Sequence, residues 1–142
     1  IGESENSDVV FAKQTINKET AEEVINAWLK SKSQAFGSAR EIEQLSNILA
    51  EPLLSRQRSA AEYFQGSNAH RIYSHSVEVK SAQQDDFNPD LATVEARVTE
   101  VASHYQNGQY NKASSYNDDL LVRYHLIRQD DRWLIKDINV LQ

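Results

Sequence analysis

The chain has 142 residues with no cysteine and no methionine, and 21 Asp and Glu against 15 Lys and Arg give it a formal net charge of −6. That length suffices for one domain with its own core. The missing thiols exclude a disulfide framework and a thiolate metal site, and the acidic balance opposes binding along a phosphate backbone, which needs clustered cations.

No stretch approaches the roughly 18 apolar residues of a membrane-spanning helix, and the first residues lack the basic and apolar regions of a signal peptide, so no direct membrane insertion is expected. Residues 1–15 open with the polar "IGESENSD" and hold no sustained period. They read as a linker or N-terminal arm of a piece cut from a longer protein, with Val9, Val10 and Phe11 as a short apolar spot able to dock. A single domain is expected over residues 16–142.

Asn17 is placed to cap a helix whose apolar positions Ala21, Val24, Ile25, Trp28, Leu29, Ala35 and Phe36 share one face, and Gly37 reads as its left-handed stop. Ser38 and Glu41 then stand at capping-box spacing before a second helical stripe, Ile42, Leu45, Ile48 and Leu49. Pro52 suits the first turn of a third helix carrying Leu53, Leu54, Ala60, Ala61, Tyr63 and Phe64, which Gly66 and Asn68 break.

After residue 70 the apolar period falls to two. Tyr73, His75, Val77 and Val79 form one side of a strand. "QQDDFNPD" turns the chain into a long strand with Ala92, Val94, Ala96 and Val98 on one face. The polar "QNGQYNKASSYNDD" reads as a connector to a strand bearing Leu120, Val122, Tyr124 and Leu126. "RQDD" then turns into Trp133, Ile135, Ile138 and Val140, whose change of face predicts a bulge.

Helices followed by a four-stranded antiparallel meander define an α+β fold with the helices covering one face of the sheet. Long, bulged strands predict a curved sheet wrapped around the first helix, a cone of the cystatin-like or nuclear-transport-factor-like kind.

The inside of such a cone is where polar groups would act. Alternation puts Glu100 on the Val94, Ala96, Val98 face, where a raised pKa would suit it to proton abstraction with Tyr73 or Tyr124 donating to an oxyanion. Against this stands a bulge at Val101 that turns Glu100 to water, which is the favoured expectation. His70, His75, His104 and His125 lack metal-site spacing; His75 is expected to be a half-buried strand residue and the other three exposed. No phosphate loop or nucleophile elbow is present, so no catalytic residue, metal or cofactor is expected. In a meander the first and third turns share one end of the sheet, bringing Asp85, Asp86 and Asp90 near Asp130 and Asp131 as an acidic rim. Solvated hairpin tips explain it better than a calcium site or a basic partner. Trp28, Phe36 and Trp133 are assigned to the core, whereas Tyr63, Tyr73 and Tyr124 keep a phenol for a partner and are groove candidates. The candidate partner- or ligand-binding set is therefore Tyr63, Tyr73, His75, Glu100 and Tyr124.

"ETAEEVINAWLKSKSQAFG" and "LLVRYHLIRQDDRWLIKDINVL", with a Trp on the first helix, an Ala-Phe-Gly stop and an Arg-Tyr…Trp hairpin, resemble the C-terminal domain of the cyanobacterial cell-division protein ZipN and its chloroplast-division relatives. The resemblance runs from about Thr15 to Gln142. It implies a parent with a J-like region and one membrane span that anchors the division ring. It also implies a non-enzymatic scaffold domain that grips a protein partner of the division machinery on the periplasmic side, with the cytoplasm as the alternative. It carries no individual binding residue onto this chain.

Overall fold

The structure is a computed structural model that describes residues 15–142, so the expected arm and its apolar spot at residues 9–11 lie outside the described residues. Helix α1 (Lys18–Phe36) starts where Asn17 Oδ1 accepts the Thr20 N–H at 2.8 Å, satisfying one of the orphan donors of the first turn. Its buried row includes Trp28 and Phe36, both below a tenth exposed. The stop is built differently from expectation. Gly37 has an extended backbone, φ −85° and ψ −179°, and a Cβ there would stand 2.5 Å from the Ser33 carbonyl. Close approach requires the glycine, and Arg40 supplies the left-handed residue, φ 56°.

The second helix is also corrected. Ile42–Asn47 is a short 3₁₀ helix, and neither Ser38 nor Glu41 forms a capping box. Ile42, Leu45 and Ile48 recur every third residue, which is the 3₁₀ repeat, and all three are buried. Residues 48–50 then lie along the last strand, with Ile135 N–H donating to Ile48 O at 2.8 Å and Ala50 N–H to Ile135 O at 2.9 Å. Helix α2 (Leu53–Gly66) begins just after Pro52, and Glu51 accepts both the backbone N–H and the hydroxyl of Ser55.

The sheet is an antiparallel meander in the order β1 (Ala69–Gln84), β2 (Leu91–Gln106), β3 (Gln109–Gln129), β4 (Arg132–Val140). The expected polar connector is instead the first half of β3. Asn107 and Gly108 turn the chain in two left-handed residues, φ 52° and 78°, and Gln106 pairs with Gln109 at once. Asn-Gly is the sequence signal for this two-residue turn. Register shifts between Val79 and Ser81, between Ala102 and His104, and across Lys136 bend the strands. The last is the bulge that the closing hairpin predicts. Even-numbered residues of β2 from Ala92 to Val98 face the helices and share one core cluster with Trp133 and Ile135, which are fully buried.

The β3–β4 turn places Asp130 and Asp131 at φ 53° and 58°, a region glycine occupies without a Cβ penalty. Asp131→Gly is expected to raise stability by about 0.5 kcal/mol. Urea unfolding would measure it, and an unchanged or lower midpoint would mean that the strain relieved does not exceed the entropy glycine loses on folding.

Candidate functional site

Alternation along β2 continues past Val98 without interruption, so Glu100, Ala102 and His104 all point at the helices. The break comes only between Ala102 and His104, against β3. Glu100 is therefore buried, 7% exposed, rather than turned to water by a bulge at Val101. His104 is likewise buried rather than exposed.

Three donors converge on the Glu100 carboxylate. Lys32 Nζ of α1 lies 2.6 Å from Oε1, His75 Nε2 of β1 lies 2.8 Å from the same oxygen, and the Tyr116 hydroxyl of β3 donates to Oε2. The sheet register explains the meeting. His75 is opposite Glu100, while Tyr73 and Tyr116 flank Ala102, whose small side chain leaves room for both rings. Tyr73 stacks on His75 with centroids 5.4 Å apart, and Lys32 Nζ sits 4.9 Å from the Tyr73 ring centre. Arg71 continues the array, donating from Nε to His104 Nδ1 at 3.0 Å and lying over the rings of Phe64 and Tyr116.

Burial alone would raise the Glu100 pKa. The hydrogen bond from His75, the charge and hydrogen bond of Lys32 and the Tyr116 hydroxyl outweigh it and hold the carboxyl at about 2. The Tyr116 phenol is pushed well above its usual value, first by burial and then by its bond to Glu100. A carboxylate so held is a weak proton acceptor near neutral pH, and its oxygens are already occupied.

The five candidate residues fall into three places. Tyr73, His75 and Glu100 come together in the network. Tyr124 is a wall residue only 2% exposed, because its register partner Val94 keeps it on the buried face; burial raises its pKa. That corrects its reading as a residue with a free phenol. Tyr63 is 73% exposed on α2 and outside the network. Lys32, Arg71 and Tyr116 were not among the candidates; the Asn107-Gly108 turn marks residues 109 onward as a strand, but the register shift between Ala102 and His104 is what sets Tyr116 opposite Ala102.

Beside the network a cleft of about 370 Å³ opens between α1, α2 and strands β2 to β4. Trp28, Leu29, Leu53, Leu120, Val122 and Tyr124 form its apolar walls. Ile138 and Val140 line the β4 side, and Lys32, Arg56, Gln57 and Glu100 supply polar groups. A hollow of similar size, about 360 Å³, lies among Gln83, Asp85, Thr93, His125 and Lys136, but holds no buried titratable group. The cleft beside Glu100 is thus the better candidate site. At the other end, Arg128 donates its backbone N–H to Asp90 O at 2.7 Å and its Nε to Asp90 Oδ1 at 3.0 Å, which brings the first and third turns together. Asp85 is spent on its own turn, accepting from Phe87 and Asn88. Among the described residues no three His, Asp or Glu side chains are grouped to hold a metal ion.

A family model described as "ARC6-like, IMS domain" matches residues 21–136. The chain belongs to the ARC6-like IMS domain family. This is the division-protein family that the first helix and closing hairpin resemble. The crystal structure of the intermembrane space region of chloroplast protein ARC6 aligns with a TM-score of 0.82 at 23% identity, covering 90% of this chain and 98% of that one. Aln2 from a Streptomyces species aligns at 0.50 with 11% identity, over 91% of this chain and 94% of that one. A Catenulispora acidiphila protein in complex with S-DNPA aligns at 0.51 with 12% identity, over 86% and 92%. At such identities the likeness is one of fold, and it places this ARC6-like IMS domain among α+β cone folds of the nuclear-transport-factor-like kind.

The network makes a pH prediction. Glu100 has its folded pKa depressed to about 2, below the roughly 4.3 of an unfolded glutamate. Its stabilisation is therefore complete above the unfolded value and is lost as pH falls towards 2. Glu100→Gln is expected to flatten the fall in stability between those two values, with wild type and variant converging in acid. Parallel curves from urea unfolding across that range would refute the assignment. Glu100→Ala, which strands Lys32 and His75, is expected to cost about 3–5 kcal/mol at neutral pH.

Proposed function

We propose that this chain is the partner-binding module of a division protein, without catalytic activity, and that its concave cleft receives a segment of another protein of the division machinery. The observation that carries this reading is the pairing of an open cleft with apolar walls and a carboxylate whose two oxygens already accept from three donors. The walls offer area for a partner's apolar side chains, while Glu100 keeps neither a free oxygen nor a pKa suited to chemistry near neutral pH. Tyr73, His75 and Glu100 then act as the rigid polar floor of the cleft, Tyr124 as part of its wall, and Tyr63 as an exposed aromatic at the α2 surface.

Family membership supports the division role. The ARC6 structure is of an intermembrane space region, and the bacterial counterpart of that side is the periplasm, which is where we place this domain. No helix of the described residues is long and apolar enough to cross a membrane, which fits a domain attached to a span elsewhere.

The test is a fluorescence titration of peptides tiling the periplasmic segments of division membrane proteins from the same organism. At least one peptide is expected to saturate the wild-type chain. Val140 is 59% exposed and lines the cleft, so Val140→Asp adds a desolvation penalty there without disturbing the core. Binding is expected to weaken about tenfold or more. Absence of any saturating peptide, or equal binding by Val140→Asp, would overturn the reading.

A further inference from the structure

The β4 strand lies at one edge of the sheet, and its outward-facing backbone groups can be assigned. Ile135 directs both its N–H and its C=O away from β3, to residues 48–50. Lys136 is then inserted as a bulge, since Leu126 pairs with Ile135 and His125 with Asp137. Backbone direction alternates along a strand, so beyond the bulge Ile138 and Val140 face outward again, and Leu141, whose N–H donates to Leu121 O at 2.7 Å, faces β3. The short strand-like segment of residues 48–50 covers only the Ile135 end of this edge.

The next outward N–H is not left bare. Ile138 N–H donates to Asp137 Oδ1 at 3.0 Å, and the same oxygen accepts from Arg56 Nη2 of α2 at 2.8 Å. A side-chain carboxylate thus stands where the carbonyl of a neighbouring strand would stand. The Asp137 carboxyl is held below its ordinary range, first by the Ile138 N–H and, against a small desolvation, by Arg56, so near neutral pH it acts only as an acceptor. The side chains of Ile138 and Val140 turn into the cleft, which also reaches Arg56. A strand added along this edge would therefore place alternate side chains in the cleft.

We propose that the outer edge of β4 at Ile138 and Val140 is a strand-addition site, closed by an Asp137–Arg56 plug. Its occupant is an extended partner segment with apolar residues at alternate positions and a carboxylate that replaces Asp137 on Arg56. The inference rests on the cleft being the partner site and adds how the partner is held, through its backbone. Charge complementarity selects the occupant. Displacing Asp137 frees a guanidinium at the cleft rim, and an acidic side chain is the group that restores its pairing.

The experiment uses a phage-displayed library of random ten-residue peptides selected on the immobilised chain, with affinities of enriched peptides measured by titration. Enrichment of alternating apolar residues with Asp or Glu is expected. Val140→Pro keeps an apolar side chain in the cleft but removes the outward N–H, at an edge position where proline breaks no ladder bond. It is expected to weaken binding about tenfold, and Asp137→Ala, which removes the plug, to strengthen it about threefold. Arg56→Gln is expected to abolish the preference for acidic peptides. On binding, the Ile138 and Val140 amides should become protected from hydrogen exchange. If no alternating pattern is enriched, or Val140→Pro and Asp137→Ala both bind as wild type, the edge site is wrong. Should Val140→Asp alone destroy binding in that case, the cleft still receives the partner through side chains; should it also have no effect, both readings fall.

Discussion

A charged carboxylate enclosed between a helix and a sheet persists only where donors meet it, and the Glu100 donors come from three elements distant in sequence. Lys32 reaches down from α1 with Trp28 and Phe36 four residues to either side, so charge and aromatic burial use one row of the helix. Sliding or rotating α1 would break the ion pair and uncover both rings together. On the sheet, His75 and Tyr116 reach Glu100 only with β1, β2 and β3 in the observed register, since a one-residue slip moves a side chain to the opposite face. One buried group thus ties the helix position to the register of three strands.

The cleft follows from the uneven engagement of the two helices. α1 buries nine residues against two, Leu53 and Ala61, for α2. Near its C-terminus Phe64 meets Phe36 edge-on at 5.1 Å and His104 at 5.7 Å. Near its N-terminus Arg56 holds Asp137. The gap beneath stays open because the side chains that would fill it, Leu120, Ile138 and Val140, belong to the sheet and are only partly covered. A cone of this kind hosts different functions, and the contents of the cavity, not the fold, distinguish them. Here the only buried carboxylate among the described residues is neutralised in place.

Local pattern carried most of the architecture. The change of apolar period near residue 70, the Asn17 cap and the bulge between Ile135 and Ile138 each rest on neighbours in sequence, and each is present. Misreadings came where two local grammars overlap. Ile42, Leu45 and Ile48 satisfy both a helical stripe and a 3₁₀ repeat, and Gly37 satisfies both a left-handed stop and a close approach. The site was less legible, because the fate of Glu100 is decided at long range. Nothing near residue 100 announces Lys32, and Tyr116 stood in a polar run whose strand character depends on pairing with β2. Tyr124 shows the same limit: its phase along β3 was plain, but whether its face was a groove or a wall depended on what packed over Val94.

An open four-stranded sheet leaves two edges, and this chain treats them differently. β1 carries Glu78 and Lys80 on its solvent side, with Lys80 at the bulge, so the strand is bent and charged where a neighbouring chain would have to lie flat. β4, bulged at Lys136, is covered by residues 48–50 at one end and stoppered by Asp137 at the next outward amide, while Ile138 and Val140 keep apolar side chains turned to the cleft. On β1 the charged bulge interrupts the strand itself, whereas on β4 the bulge at Lys136 comes before the outward groups of Ile138 and Val140. An edge whose first amide is covered by a carboxylate, itself held by one exposed arginine, keeps its geometry ready for a strand and is closed by groups that one competing acceptor and one competing anion can replace. Such an arrangement protects the free domain from indiscriminate edge pairing without surrendering the edge, and that difference separates a recognition edge from a guarded one.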